Sequence, residues 1–317
     1  MGQAIKLFLM KISVLISNYN YQQYLINAIE SVLKQSRKVD EIIVVDDCST
    51  DNSQQLLQNS FLNHNNIKLV LKDKNQGQLS CFNVGFEVST GDIIFFLDAD
   101  DIYEENYIEE GLKFYEQNEK CDFLFCAFER FGGETQFVFY YERDRDLGCS
   151  AISTLHRRRW LGSPTSTLSM SRATLEKILP IPYLEDWRTR ADDCLVFGAS
   201  IVGARKFYLS QSLVKYRVHG KNNFYGVKKE RNLEHLKRLF QFLSQNYQNE
   251  FNLWEQIYYE FKTIPEPRYK EFRLYLSLVK HSGTSWFKKL PVASMLVIYF
   301  LRRGDFMGNV PSWHVSL

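Results

Sequence analysis

Paired cysteines and a strong net charge are both missing from this chain of 317 residues. Its six cysteines form no C-x-x-C pair, so their spacing gives no zinc ligand set, and we expect reduced thiols in a cytoplasmic protein. The net charge is +2, which provides no general attraction to nucleic acid. Functional signals must therefore be sought in local clusters of residues.

Long apolar runs are also missing. The run that follows Lys6 is interrupted at Lys11, so we expect a strand there and no signal peptide. The apolar segment at 290–301 has 12 residues, whereas a transmembrane helix needs about 20. Lysines, arginines and aromatic residues flank this segment, which is typical of an interfacial helix on an anionic membrane. The alternative is a C-terminal helix packed on the core.

Apolar strands alternate with amphipathic helices over the first hundred residues. The pattern predicts strands at 11–20, 40–53, 67–73 and 91–101, with helices at 24–36, 53–61 and 77–89 between them. Such alternation favours parallel βαβ units in a sheet that is covered on both faces. Further along, we expect a helix at 104–120, strands at 122–131 and 135–142, a polar break at 144–159, a short strand within 163–171, a helix at 191–203, a strand at 206–220 and helices over 228–281.

Three of the predicted strands end in polar or acidic residues, at 17–20, 46–47 and 98–101. In open parallel sheets, ligands bind at the carboxyl ends of the strands, so these clusters should meet at one edge. Three aspartates within the four residues "DADD" repel one another unless a positive charge neutralises them. Two hard oxygen ligands suit Mg²⁺ or Mn²⁺, which commonly bridge to phosphate oxygens. The stretch therefore indicates a phosphate-bearing ligand that binds with a metal ion.

The segments "ISVLISNYNYQQYLINAIESVLKQS", "DEIIVVDDCSTDNS" and "GDIIFFLDADD" closely resemble the family 2 glycosyltransferases. The resemblance is dense over 11–103 and looser through "ADDCL" to "YRVHGKNN", which together cover about two thirds of the chain. It implies an α/β protein with the GT-A fold, a Rossmann-like and mostly parallel central sheet flanked by helices. We expect a catalytic domain at 1–224, with a nucleotide-sugar half at 1–103 and an acceptor half at 104–224, followed by a helical C-terminal region at 225–317.

The resemblance also implies a nucleotide-diphospho-sugar donor, with a UDP-sugar as the first expectation, and Mn²⁺ or Mg²⁺ as cofactor. Residues carried over to donor binding are Ser17, Tyr19, Asp46, Asp47, Asn75, Asp98 and Asp100. Asp100 would ligate the metal, and His219 would join it there or contact the diphosphate. The ion would neutralise charge on the departing nucleoside diphosphate.

The family needs a general base for the acceptor hydroxyl, and "ADDCLVFGAS" offers Asp192 and Asp193. We favour Asp192, since it shares a helical face with Leu195 and Val196 and would look into the cleft. Both acids could instead interact only with the helix dipole. Acceptor contacts are expected from the loop that contains Ser163, Pro164 and Thr165. The resemblance suggests a glycan or lipid-linked acceptor in cell-surface polysaccharide synthesis, with a membrane surface as a further partner.

The sequence departs from the family at two places. Ser17 stands where relatives often have proline, and the Q-x-x-R-W signature of processive synthases is reduced to "RRRW" at 157–160. We therefore expect transfer of one sugar rather than processive synthesis. Three alternatives remain. "IIVVDD" resembles the acidic pocket of a phospho-acceptor receiver domain, but a full βα unit precedes it. "DADDI" lacks the threonine of a D-x-D-x-T phosphatase. A non-catalytic nucleotide-sugar binder could keep Asp46 and Asp100 without a base.

Overall fold

The first hundred residues fold as the alternation of strands and helices predicts. The computed structural model describes residues 10–133, 135–220, 222, 231–246, 253–283 and 285–305. In chain order, the first elements are β1 (Ile12–Asn18), α1 (Gln22–Leu33), β2 (Glu41–Asp46), α2 (Ser53–Phe61), β3 (Ile67–Leu71), α3 (Gln78–Val88) and β4 (Ile93–Asp98). Apart from the last position of β4, β1, β2 and β4 are buried at every position, as their continuous apolar runs predict.

The next elements complete the part of the fold that precedes the C-terminal helices. They are β5 (Ile102–Tyr103), α4 (Tyr107–Gln117), β6 (Phe123–Phe131), β7 (Gln136–Val138), β8 (Arg145–Gly148), α5 (Ala151–Arg157), β9 (Leu168–Ser171), α6 (Arg172–Leu175), α7 (Ala191–Ile201) and β10 (Lys206–Arg217). The prediction of a break at 144–159 is wrong, because β8 and α5 lie there. Arg145 is buried and pairs with Asp305 and Glu271 of the C-terminal region. These distant acids compensate its buried charge, so the polar segment can form regular structure.

Among the described residues, ten strands form one mixed sheet. Its order is β3-β2-β1-β4-β9-β6-β10-β5, with β7 beside β6 and β8 beside β10. The first four strands in this order are parallel, whereas β9 runs antiparallel to both β4 and β6. The register aligns Ser17 of β1 with Asp98 of β4, and Asn18 with Asp46 of β2. The expectation that the polar strand ends meet at one edge is therefore confirmed.

Helices cover both faces of the sheet, and the C-terminal region adds a third core. It contains α8 (Leu233–Asn246), α9 (Leu253–Lys262), α10 (Tyr269–His281) and α11 (Trp286–Arg303). Leu236, Leu239 and Leu243 of α8 join the core on one face of the sheet. Side chains of α9, α10 and α11 pack instead around Ile152 of α5. The domain division at residues 224 and 225 remains a prediction, and these contacts tie both parts together.

Membrane-spanning helices were not expected from the sequence. Over the described ranges, the structure contains no helix that combines the length and the apolar character needed to cross a bilayer.

A buried carboxylate links the third core to the helix α5. Glu260 of α9 accepts hydrogen bonds from the backbone N–H groups of Ile152 (2.7 Å) and Ser153 (3.1 Å), and from the hydroxyl of Tyr275 (2.5 Å). The first two donors belong to the first turn of α5, where backbone N–H groups have no partner within the helix. Glu260 therefore caps α5 from another part of the chain.

We expect Glu260→Ala to lower the free energy of unfolding by about 2–4 kcal/mol, because it leaves buried donors without an acceptor. Urea unfolding followed by circular dichroism measures the change. Glu234→Ala is the matched control, since the Glu234 side chain is 70% exposed and pairs only at the surface with Lys237. The control should change stability by less than about 0.5 kcal/mol. Equal effects of the two substitutions would show that the cap does not stabilise the fold.

Candidate active site

A cleft of about 830 Å³ opens at the carboxyl ends of β1, β2 and β4. Nine of the residues predicted from the sequence line it, namely Ser17, Tyr19, Asp47, Asn75, Asp98, Asp100, Pro164, Thr165 and Asp192. The cleft therefore brings donor, acceptor and base candidates to one place. Four other candidates occupy different positions, and each is described below with its contacts: Asp46, Ser163, Asp193 and His219.

Asp98 ends β4 at the wall of the cleft. Its Oδ1 accepts hydrogen bonds from the Ser17 hydroxyl (3.1 Å) and the Gln78 side-chain amide (2.9 Å). Burial, together with the charge of Asp100, raises the pKa of Asp98 to about 7. The accumulated negative charge of the "DADD" turn is thus costly without a cation, as the sequence argument anticipated.

Asp100 and His219 form a pair at the same edge. The imidazole Nε2 lies 2.9 Å from the Asp100 Oδ2, and both side chains are about 10% exposed. The rings of Tyr21 and Tyr24 pack on the imidazole with centroids at 5.6 and 5.2 Å, which fixes its orientation. Carboxylate oxygen is a ligand type that suits Mn²⁺, and imidazole nitrogen is a common ligand of protein-bound metals.

A complete metal cage is not present in the part of the chain that the structure describes. No group of three or more histidine, cysteine, aspartate and glutamate side chains is placed to hold an ion there. The Asp100–His219 pair nevertheless fits a cation that takes its other ligands from phosphate oxygens and water, which is the usual mode for Mg²⁺ at nucleotide sites. The residues therefore suit an ion that arrives with a diphosphate.

Asp101 stabilises the acidic turn through hydrogen bonds of its buried carboxylate. Its carboxylate accepts hydrogen bonds from the Ser166 hydroxyl (2.6 Å) and the backbone N–H of Arg217 (2.8 Å). Arg217 in turn donates from Nε to the Asp100 carbonyl (2.8 Å), with its guanidinium over the ring of Tyr24 at 4.4 Å. Thus the end of β10, which precedes His219, is tied directly to the turn that carries Asp100.

Asp46 and Asp47 have separate roles. Asp47 lines the cleft, pairs with Lys72 and accepts the backbone N–H of Gly77 (2.6 Å), so it positions the start of α3. The Gly77 φ of +87° is one that other residues rarely adopt.

Asp46 is fully buried and does not line the cleft. Its two oxygens accept hydrogen bonds from Asn18 (2.6 Å), the Ser49 backbone N–H (2.8 Å) and Gln54 (2.8 Å). The carboxylate thus fixes the loops after β1 and β2, and its expected contact with the base or ribose stays a prediction.

The two candidate bases also differ in position. Asp192 lines the cleft, whereas Asp193 is only 1% exposed and belongs to an ion-pair cluster. Arg231 donates two hydrogen bonds to the Asp193 carboxylate, from Nε at 2.9 Å and from Nη2 at 3.1 Å. Arg190 forms a further ion pair with it at 3.2 Å. Asp193 therefore holds two arginines that line the cleft, whereas Asp192 itself lines the cleft.

Burial raises the pKa of Asp192 to about 7, with further contributions from the charges of Asp193 and Asp98. A base with a pKa near the working pH combines a useful ionised fraction with a strong tendency to accept a proton. The position of Asp192 and its pKa both suit proton abstraction.

Gln78 is a contact that sequence reasoning missed. Its amide N–H donates to Asp98, and its Oε1 accepts the backbone N–H of Ala191, at 3.0 Å, where α7 begins. One side chain thus joins the acid at the donor side to the helix that carries Asp192. The only sequence signal was its place in the "NQGQLS" segment that resembles the family.

Four arginines in the cleft were missed as well: Arg130, Arg188, Arg190 and Arg231. They bring guanidinium groups, which bind phosphate well, into the same cleft as the aspartates, and Arg190 and Arg231 also pair with Asp193. Of "RRRW", Trp160 lines the cleft with the Arg231 guanidinium 5.4 Å from its ring centroid, whereas Arg159 pairs with Glu271 outside it.

The predicted acceptor loop lies between these groups. Pro164 and Thr165 line the cleft, but Ser163 is fully buried and does not. Ser166, which was not singled out, accepts the Asp98 backbone N–H (3.0 Å) and donates to Asp101. The loop therefore supports the acidic turn and also contributes Pro164 and Thr165 to the cleft, while an acceptor contact by Ser163 stays a prediction.

Comparisons with known proteins agree with this geometry. The model of glycosyl transferase family 2 matches residues 13–178, more than half of the chain. An uncharacterized glycosyltransferase of Nostoc sp. is 36% identical over 68% of this chain and 66% of its own length. The teichuronic acid biosynthesis relative TuaG of Bacillus subtilis is 33% identical over 37% of this chain. The chain spans 66% and 46% of the lengths of these two relatives.

Solved structures resemble the whole described fold. TarS residues 1–349 of S. aureus, in complex with UDP-GlcNAc, superpose with a TM-score of 0.55 over 93% of this chain and 74% of that one, at 18% identity. A mannosyltransferase of Pyrobaculum calidifontis, in complex with GDP-Man and Mn²⁺, gives a TM-score of 0.50 over 94% of this chain and 76% of that one, at 13% identity. At these identities the likeness establishes the fold alone. Taken with the family match, it identifies this chain as a member of glycosyl transferase family 2, a glycosyltransferase with the GT-A fold.

Proposed function

We propose that this enzyme transfers one sugar from a nucleotide-diphospho-sugar to an acceptor hydroxyl, with inversion at the anomeric carbon and with Mn²⁺ or Mg²⁺ as cofactor. The observation that carries the proposal is the convergence of Asp98, Asp100 and Asp192 on one cleft of about 830 Å³, with His219 paired to Asp100. A cleft of this volume has room for a small ligand beside a base.

In the proposed reaction, Asp192 removes the proton from the acceptor hydroxyl. The oxygen forms a bond to the anomeric carbon while the bond from that carbon to the diphosphate oxygen breaks on the opposite face. The electron pair of the broken bond leaves with the nucleoside diphosphate. When bound at Asp100 and His219, the cation supplies charge neutralisation for this leaving group. The cleft arginines contribute to the same end, because guanidinium groups bind phosphate strongly.

The donor and acceptor classes are parts of the same proposal. Solved neighbours hold UDP, UDP-GlcNAc and GDP-Man, which supports a nucleotide-sugar and makes UDP the first nucleotide to test. The name of the TuaG relative supports an acceptor in cell-surface polysaccharide synthesis, as a free or lipid-linked glycan. We propose transfer of a single sugar, since the full processive signature is missing from the sequence. The membership of the family displaces the receiver-domain alternative.

Titration calorimetry with UDP, GDP, dTDP and CDP, each with Mn²⁺ and with a chelator, tests the donor site. We expect one nucleotide to bind at least tenfold more tightly with Mn²⁺, because an ion held by Asp100 and His219 would neutralise charge on the diphosphate. Turnover of the matching nucleotide-sugar then separates an enzyme from a non-catalytic binder, which would bind without releasing the diphosphate. If the folded protein binds none of the four nucleotides with either addition, the proposed donor class is wrong.

A further inference from the structure

The last helix of the described chain has two apolar faces, and only one of them is covered. Leu296 and Phe300 of α11 are buried in the third core. On the opposite side, five large side chains are exposed, and we call them the outer stripe: Phe287, Leu290, Val297, Ile298 and Leu301. At 100° per residue these five fall on one face of the helix, roughly opposite Leu296.

The large apolar side chains of the outer stripe are highly exposed to solvent. Leu290 is 60% exposed and Leu301 is 65% exposed. A contiguous apolar patch with polar residues at its edge usually marks a site of interaction with a protein or a membrane. Trp286 is also exposed and stacks on Phe287 at the start of the helix, and such amphipathic rings favour a water–lipid interface.

The charges on α11 indicate which partner could cover the outer stripe. Lys288 and Lys289 lie at one end and Arg302 and Arg303 at the other, and the helix contains no aspartate or glutamate. A second copy of this chain, paired along the stripe in either direction, would bring basic ends together without acidic partners from α11. An anionic lipid surface instead supplies negative charge at both ends and apolar material between them.

We propose that the outer stripe of α11 docks on an anionic membrane, with the helix in the plane of the interface. The apolar side chains enter the headgroup boundary while Lys288 and Arg302, which lie between the stripe and the packed face of the helix, reach the lipid phosphates. This inference rests on α11 alone and does not depend on the transfer reaction. Docking would hold the enzyme at a surface where a lipid-linked acceptor is concentrated.

Vesicle flotation of the full chain tests the proposal. We expect binding to vesicles of phosphatidylcholine mixed with phosphatidylglycerol, little binding to phosphatidylcholine alone, and weakening by salt. Leu290→Ser, Val297→Ser and Leu301→Ser together should lower the partition coefficient on the order of tenfold or more. Replacement of Lys288, Lys289, Arg302 and Arg303 by glutamine should lower it on the order of 100-fold.

Leu62→Ser is the matched control, because Leu62 is 64% exposed and follows α2, outside the stripe. It should leave binding unchanged, and thermal unfolding should show that all variants are folded. Absence of binding to the mixed vesicles, or binding that neither set of substitutions lowers, overturns the proposal. A wild-type dimer that becomes monomeric in the triple serine variant, without vesicle binding, would assign the stripe to a second copy instead.

Discussion

Asp192→Asn should lower kcat by about 10²–10⁴-fold while leaving the affinity for the donor nucleotide nearly unchanged. The substitution keeps the size of the side chain in the cleft but removes its ability to accept a proton. Steady-state turnover and calorimetry with the donor nucleotide separate these two effects. Asp193→Asn is the sharpest comparison, because the two acids are adjacent on α7 and differ in exposure to the cleft.

Compared with Asp192→Asn, we expect Asp193→Asn to lose more stability and less kcat, because Asp193 is ion-paired with Arg231 and Arg190. Removal of one partner from a buried ion pair is strongly destabilising, by about 3–5 kcal/mol. If Asp193→Asn abolishes turnover and Asp192→Asn retains it, then Asp193 is the base and the assignment of Asp192 is wrong.

The pH dependence follows from the same assignment. The pKa of Asp192 is raised to about 7, and its active form as a base is the ionised one. The rate should therefore rise with pH up to about 7 and then level off, and fall about tenfold per pH unit below the pKa. The charge of Asp193 contributes to the raised pKa, so in Asp193→Asn the rising limb should move to lower pH. A limb that stays in place would show that this charge does not act on Asp192.

The second large effect concerns the Asp100–His219 pair. Asp100→Asn and His219→Ala should each reduce kcat/KM by about 10²–10³-fold, because each removes one ligand for the cation that neutralises the leaving group. Both should also abolish the increase in nucleotide affinity that Mn²⁺ gives to the wild type. Dialysis against a chelator should have the same effect on the wild type, with recovery on addition of Mn²⁺.

His235→Ala is the matched control for His219→Ala. His235 also contacts an aspartate, with its Nε2 3.5 Å from Asp186, but it does not line the cleft. Its replacement should leave the response to Mn²⁺ intact. Full metal dependence in Asp100→Asn or His219→Ala would mean that the ion binds elsewhere.

The sequence was sufficient to predict that the strand-end residues converge. The hydrophobic periodicity and the short crossovers of βαβ units are local properties that can be recognised in the sequence. Ser17 and Asp98 lie in the last two positions of parallel strands and Asp100 comes just after one of them, so their convergence could be predicted from short crossovers. The sequence could not separate Asp46 from Asp47, because successive side chains at a strand end point to opposite sides and either one could face the ligand. Helical periodicity did separate Asp192 from Asp193 in the direction that the structure has.

Contacts between distant parts of the chain could not be predicted. Arg231 precedes α8, far from Asp193 in the sequence, and no pattern near either residue signals their pairing. The same holds for Glu260, which caps α5 from α9, and for Arg145, whose acidic partners lie in the C-terminal region. For α11, the sequence left open a membrane face or a packed face, and the structure places a packed face on one side and an exposed apolar face on the other.

The stereochemistry of donor turnover tests the central claim most directly. Once the nucleotide panel has named the donor, proton NMR can follow hydrolysis of an α-linked nucleotide-sugar and record the anomer that appears first. A single displacement, with Asp192 activating the attacking oxygen, predicts the β-anomer first, with turnover at least about 10²-fold slower in Asp192→Asn. An α-anomer as the first product, or equal turnover in Asp192→Asn, would contradict the account.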